Sequence, residues 1–303
     1  MFSKCKLLLT VALSSSLLFG CASSNIKDSE RVYRDDLSRA KNITNFFGYK
    51  KIHDVKAPEG YKGDGSFLWN SAVWAGNLDA AANIGGFLPG ASGWNAVGIG
   101  LGLSLVQAAL KPDDQEEMNG LFGYLPANKA KDIKQAREVF VDEATQALLK
   151  SAKKLYPQAE IKIVLRQHYP ETMMYDTYFA MAIQIVDKKL GCLSDEEAKT
   201  NDDYCGIIVK SSEVKSPDVL PEMFGGKQMA YKIMPMKYNE TLIPLSLSEK
   251  KLEMAKWLSS TAPYLPKNMF FYVASQKDTK GETNPPLIVE KDHVNLFIQP
   301  KAN

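Results

Sequence analysis

The chain is poor in the residues that metal and nucleophile chemistry draws on. It has three histidines in 303 residues, His53, His168 and His293, all far apart, and four cysteines. No His-Glu-x-x-His or His-x-His pattern occurs, so no metal ligand set is expected. The Gly-x-Ser-x-Gly elbow of serine hydrolases is missing, since "GDGSF" and "GASGW" both fail the pattern. The glycines at 98, 100 and 102 have no Lys-Ser/Thr behind them and do not form the dinucleotide fingerprint, which argues against a nucleotide cofactor. A surplus of either charge is also lacking, with 37 basic residues against 35 acidic ones. Nucleic acid is therefore not an expected partner, because it selects a basic face. Together these absences point to a chain with no catalytic residues and no cofactor.

The N-terminus has three parts. Lys4 and Lys6 give a positive start, Leu7 to Leu18 form an apolar core softened by Ser14, Ser15 and Ser16, and the core ends in Leu18, Phe19, Gly20 and Cys21. That core is far below the roughly 20 apolar residues a spanning helix needs. A basic head and a short core closed by small residues form the secretory pattern. The ending resembles the lipobox of bacterial lipoproteins, Leu-x-Gly-Cys, with Phe19 at the variable place. The resemblance covers this peptide alone and implies that residues 1–20 are a signal peptide. It implies further that the Cys21 thiol carries diacylglycerol and that cleavage before Cys21 frees an amine for a further, palmitate-type acyl chain. Buried methylenes contribute about 0.8 kcal/mol each, and one chain anchors only marginally, so three chains hold a protein to its membrane almost permanently. Ala22 is not the aspartate that resembles an inner-membrane retention signal. In a Gram-negative host this implies the outer membrane, with the body in the periplasm. Cleavage takes the 37 basic residues down by two, level with the 35 acids.

Cys192 and Cys205 then remain, in "GCLSDEEAKTNDDYCG". An even pair in an exported chain predicts a disulfide that staples a polar loop between two apolar runs. No nearby histidine or second cysteine pair completes a tetrahedral metal set. The acids Asp195, Glu196 and Glu197 lack the glycine-bearing spacing of a hard-cation loop, and they read as a solvated surface or one that meets a basic partner.

Residues 21–29 are polar and read as a tether. Tyr33, Leu37, Ala40 and Phe47 fall at roughly helical spacing, with Gly48 as a stop. Between Asp79 and Lys111 no residue is charged. Within this stretch Gly98 and Gly102 stand four apart, which brings small residues to one helix face for close packing. Three readings stay open for 94–110: a buried helical hairpin, a membrane-embedded or oligomer-forming helix, and a glycine-rich loop. The domain organisation is thus a helical region, 30–111, whose charge-free part is 80–110, followed by a second domain, 112–303.

In that second domain Ile133, Ala136, Phe140, Ala144, Ala147 and Leu148 form an apolar helical stripe ended by Pro157. The segment "AEIKIVLRQ" alternates Ile161, Ile163 and Leu165. The run "YDTYFAMAIQIV" sets Tyr178, Ala180 and Ala182 against Phe179, Met181, Ile183 and Ile185, and the two segments pair as an antiparallel ribbon. "CGIIVKS", "MAYKIMPM", "MFFYVAS", "PLIVEK" and "HVNLFIQP" read as further strands. A second helix is expected over 249–260, capped by Ser248, with Leu252, Ala255 and Leu258 or Ser259 on one side. The predicted class is α+β, mainly antiparallel sheet with two amphipathic helices, behind a Gly/Ala-rich helical region. "DDQEEMNG" reads as a solvated helix start or turn, and His168 and His293 as polar residues at strand ends rather than bases.

The expected function is non-enzymatic: an outer-membrane lipoprotein whose body binds another envelope protein in a secretion, conjugation or similar assembly, with oligomers open. A periplasmic immunity or inhibitor lipoprotein against a delivered toxin is the alternative, with the acidic loop from Asp195 to Asp203 as its contact. The glycine-rich segment behind a lipid anchor is also similar in composition to that of plasmid surface-exclusion lipoproteins. An envelope hydrolase is the least favoured reading.

Overall fold

The strongest helical pattern in the sequence is also the longest helix. The computed structural model describes residues 32–56, 115–170, 177–200, 203–211, 213–235, 241–245, 252–277 and 283–300. The motif at 18–21, the tether, Ser248, Gly98 and Gly102 lie outside them. In chain order the described elements begin with α1 (Arg39–Phe46), β1 (Gly120–Pro126), α2 (Ile133–Leu155), β2 (Glu160–Tyr169), β3 (Tyr178–Val186) and β4 (Gly206–Lys210). There follow β5 (Val214–Val219), β6 (Met229–Ile233), β7 (Leu242–Pro244), α3 (Met254–Ser259) and β8 (Met269–Val273). The chain ends with β9 (Gln276–Lys277), β10 (Thr283–Asn284), β11 (Leu287–Glu290) and β12 (His293–Leu296). The class is α+β. The described strands form an antiparallel six-stranded sheet, β12-β11-β8-β1-β6-β5, a four-stranded sheet, β2-β3-β4-β7, and a two-stranded ribbon, β9-β10. No described helix is long and apolar enough to cross a membrane.

Helix α2 starts where Asp132 accepts the Gln135 amide at 2.7 Å and the Gln135 side chain accepts the Lys131 amide at 2.8 Å. These bonds satisfy donors that the first turn leaves orphaned. Lys153 and Lys154 in the last turn complement the negative end of the helix. The stripe read from the sequence is the buried one: Ala136, Phe140, Ala144 and Leu148 are fully buried and Ala147 nearly so. It packs on β3 and β4 of the smaller sheet and on β5 and β6 of the larger, with α3 alongside. Each fully buried large apolar side chain stabilises by about 1.5–3 kcal/mol, so this central cluster holds both sheets to one helix.

Strand alternation sorts the rest. Leu121 and Leu125 of β1, Phe271 of β8 and Val289 of β11 face α2. Phe122, Tyr124, Phe270, Tyr272 and Ile288 face the other way. That second face is lined with rings and covered by α1 and the residues after it. The Phe47 ring lies 4.6 Å from Phe122 and 5.3 Å from Tyr124, centroid to centroid. The Lys232 ammonium donates to the Phe46 carbonyl at 2.6 Å and sits 5.1 Å from the Phe47 ring centre.

The expected helix near residue 40 is shorter than its spacing suggested. Tyr33 is exposed and Leu37 lies ahead of the helix, which begins only after Ser38. The Ser38 hydroxyl accepts the Lys41 amide at 3.0 Å while the Asp54 carboxylate accepts the Ser38 amide at 2.6 Å, fixing the start. The acidic stretch near 115 forms a short 3-10 helix, Gln115–Glu117, with no buried residue. The Glu116 carboxylate accepts the Lys50 and Lys51 amides at 2.9 and 3.0 Å. Its carbonyl accepts the Tyr272 hydroxyl at 2.6 Å, and burial holds that phenol protonated. At the far end Arg39 grips Glu290 with two bonds of 3.0 Å, and Val55 forms a parallel bridge with Ile298.

Candidate functional site

Cys192 and Cys205 are joined as a disulfide, with both residues fully buried and Cα atoms 5.3 Å apart. The loop between them is held by its own backbone and by β3 and the residues after it. Buried Gln184 donates to Asp195 at 3.0 Å, Asp203 accepts the Lys199 and Thr200 amides at 2.9 Å, and Glu197 pairs with Lys188. Asp195, Glu197 and Asp203 thus each have a partner inside the chain. Replacing both cysteines with serine closes no loop in the unfolded chain, and we expect a loss of about 2–3 kcal/mol. Urea unfolding with and without reductant checks this: the reductant should move the native midpoint and leave the double-serine midpoint still.

A more exposed arrangement lies where α2 meets β2. The period-two pattern put Ile161, Ile163 and Leu165 on one face. The structure corrects this, because the register with β3 slips between Ile163 and Leu165, with Val164 as the extra residue. Ile161 packs on the central core, while Leu165 packs on the opposite face with Tyr178 and Ile208. The bulge therefore turns Arg166 and His168 toward the helix. Arg166 meets Asp142 at 3.2 Å, and His168 Nε2 lies 2.8 Å from Glu138 Oε1. Glu138 and Asp142 are one helical turn apart, and the two bases are one strand repeat apart, so the spacings match. Phe179 lies beneath both, its ring centre 4.8 Å from the imidazole and 5.6 Å from the guanidinium carbon.

Chemically this is a paired seam. His168 and Glu138 are each about one-third exposed. Among the described residues, the partners of His168 are Glu138 and the Phe179 ring. His53 is exposed, and His293 is an exposed residue at the start of β12, opposite Glu290. The three histidines stay apart, and among the described residues no cluster of three metal-ligating side chains forms. Glu138 and Asp142 do not stand out in the sequence, because they flank a more conspicuous apolar stripe. Acids four apart along a helix edge, set against bases two apart on the next strand, were the available signal.

Beyond the seam, β2 ends the four-stranded sheet. Its Ile163 and Val164 are 39% and 37% exposed, among the few exposed large apolar side chains described. The outward backbone groups can be assigned from β3. The Ile185 amide donates to Cys205 and the Phe179 carbonyl accepts from Ser211. In an antiparallel ladder the amide and carbonyl of one residue point the same way. The odd-numbered residues of β3 thus spend theirs toward β4, and their β2 partners Ile161, Ile163, Arg166 and His168 point theirs outward. Among the described residues nothing bonds to those groups.

Comparison with protein-family models, with curated proteins and with solved structures finds no match for this chain.

Proposed function

We propose that this chain is a lipoprotein fixed to the outer membrane through acylated Cys21, with its α+β body in the periplasm. There it binds another envelope protein in a non-enzymatic role within an envelope assembly. The observation that carries the reading is the Leu18, Phe19, Gly20, Cys21 ending behind a short apolar core. The buried disulfide supports it, because such bonds persist in oxidising compartments. So does the surface at β2, where the charges are paired off and the open backbone groups suit a protein partner. The body's first helix starts at Arg39. The 18 residues from Cys21 to Ser38 span at most about 60 Å when extended, which keeps the body close to its membrane.

Three measurements test this. The mass of the N-terminal fragment of the full-length protein, expressed in a Gram-negative host, should show a chain starting at Cys21 with three acyl chains. Cys21→Ala should retain the leader and leave the outer-membrane fraction. In vivo crosslinking followed by detergent purification should retrieve envelope subunits. An unacylated N-terminus, or a monomer with no crosslinked partner, would overturn the reading.

A further inference from the structure

The four ends of the two main sheets are not alike. Strand β5 carries Pro217 and a break in register between Lys215 and Asp218. Strand β7 is three residues long and closes with Pro244. Beyond β12, the chain is bridged at Ile298 by Val55. Short strands, prolines, bulges and covering segments are the usual ways of blunting an edge. Strand β2 is ten residues long, carries one bulge at Val164 and has no covering segment among the described residues.

We propose that the outer edge of β2 is a strand-addition site, taking a short extended segment of a partner protein against Ile161, Ile163, Arg166 and His168. The proposal rests on the reading that the body binds another protein, and it names the place and the chemistry. Recognition is by main-chain hydrogen bonds from four amides and four carbonyls, with side chains adding selectivity. The polar side chains at this edge already have partners. Arg166 pairs with Asp142, His168 Nε2 bonds to Glu138, and Lys162 stands 3.9 Å from Glu160. An incoming segment thus meets side chains already engaged within the chain and is expected to be uncharged, with an apolar side chain opposite exposed Ile163. A second copy of the chain is a poor occupant. The Val164 bulge would lie in both strands, and two interrupted ladders leave no continuous register. The bulge interrupts the added ladder between Ile163 and Arg166, which also guards the edge against open-ended polymerisation.

The test uses the detergent-solubilised full chain and a displayed library of random nine-residue peptides. A selected peptide is resynthesised with natural amides and with alternate amides N-methylated. Hydrogen exchange should show at least tenfold protection at the amides of Ile161, Ile163, Arg166 and His168 with the natural peptide. The N-methylated peptide should give none. Ile163→Pro removes an outward donor and leaves the β2–β3 bonds in place, so it should keep its circular dichroism spectrum and lose the peptide. The proposal fails if no library member binds at millimolar concentration, or if protection appears elsewhere. It fails as well if the same amides become protected without peptide as protein concentration rises, which would assign the edge to a second copy. Peptide protection at β2 with no crosslinked envelope partner would retain the edge and remove the assembly reading. The reverse result would retain the assembly and remove the edge.

Discussion

Replacing Trp257 with alanine is expected to lower the unfolding free energy by about 4 kcal/mol, in the upper range for deleting a large buried ring. Trp257 is fully buried, and it belongs to α3, which has only six residues. A helix that short has almost no stability of its own, so its position depends on what it docks against. The indole Nε1 donates to the Leu148 carbonyl of α2 at 3.1 Å, and the Ser151 hydroxyl of α2 returns a bond to the Trp257 carbonyl at 3.3 Å. Alanine removes the ring and the indole donor, and it opens a cavity against the helix that both sheets share. Trp257→Phe retains most of the ring volume and loses the donor, with an expected loss of about 1–2 kcal/mol. Urea unfolding followed by far-ultraviolet circular dichroism gives both values. A loss below about 1 kcal/mol for alanine would show that α3 is not held through this side chain.

The second large effect is expected at Gly206, where alanine should cost about 3 kcal/mol or more. Its φ is +151°, and a Cβ built there would run into the Ile183 carbonyl of the neighbouring strand as well as the Leu245 side chain at 2.8 Å. Backbone in the middle of a sheet cannot yield as the end of a flexible side chain can. Gly48, which ends α1 with φ +87°, has nothing within 4 Å of the place a Cβ would take. Gly48→Ala carries the conformational penalty without the collision and should cost about 1 kcal/mol. Thermal unfolding of the two variants separates backbone strain from close packing, and equal losses would refute the close-approach account.

How far the fold could be read from sequence depended on whether local pattern and burial coincided. They did in α2, and in β3, where the two faces were correctly separated into Tyr178, Ala180, Ala182 and Phe179, Met181, Ile183, Ile185. Strand β1 went unread because "GLFGYLP" carries two glycines and a proline, the residues that usually end strands. It is nevertheless central to its sheet, paired with β6 and β8. Gly120 is there for space, since a Cβ would meet the Tyr49 hydroxyl. Strand β5 escaped notice for a similar reason, its Pro217 being tolerated at an edge. For α1, apolar spacing extended the helix too far, since the residues before Ser38 carry no buried face.

The seam was less legible than the fold. His168 was singled out, but its partner lies 30 residues away on another element. A strict period of two also put the wrong β2 residues toward the helix, because one inserted residue reverses the facing of everything after it. Bulges leave no reliable mark in composition, and "KIVLR" offers neither glycine nor proline at the break. The disulfide was readable because cysteine arithmetic needs no geometry. Glu116 was not, because its role is set by the amides of a segment 65 residues earlier.

The clasp between the two ends of the described fold bears on how the molecule is made. Arg39 and Glu290 are 251 residues apart in sequence, and Val55 meets Ile298. The central strand β1 finds one of its neighbours, β8, only after about half the chain has been synthesised beyond it. Such pairings give a high contact order, and loop-closure entropy must be overcome before they stabilise anything. A chain synthesised amino end first therefore presents Phe46, Phe47 and Tyr49 to solvent until its final strands arrive. Helix α1 is the first described helix to be synthesised and among the last to find its seat. Throughout that interval three aromatic side chains await the sheet that will cover them, an interval in which the nascent chain is exposed to aggregation.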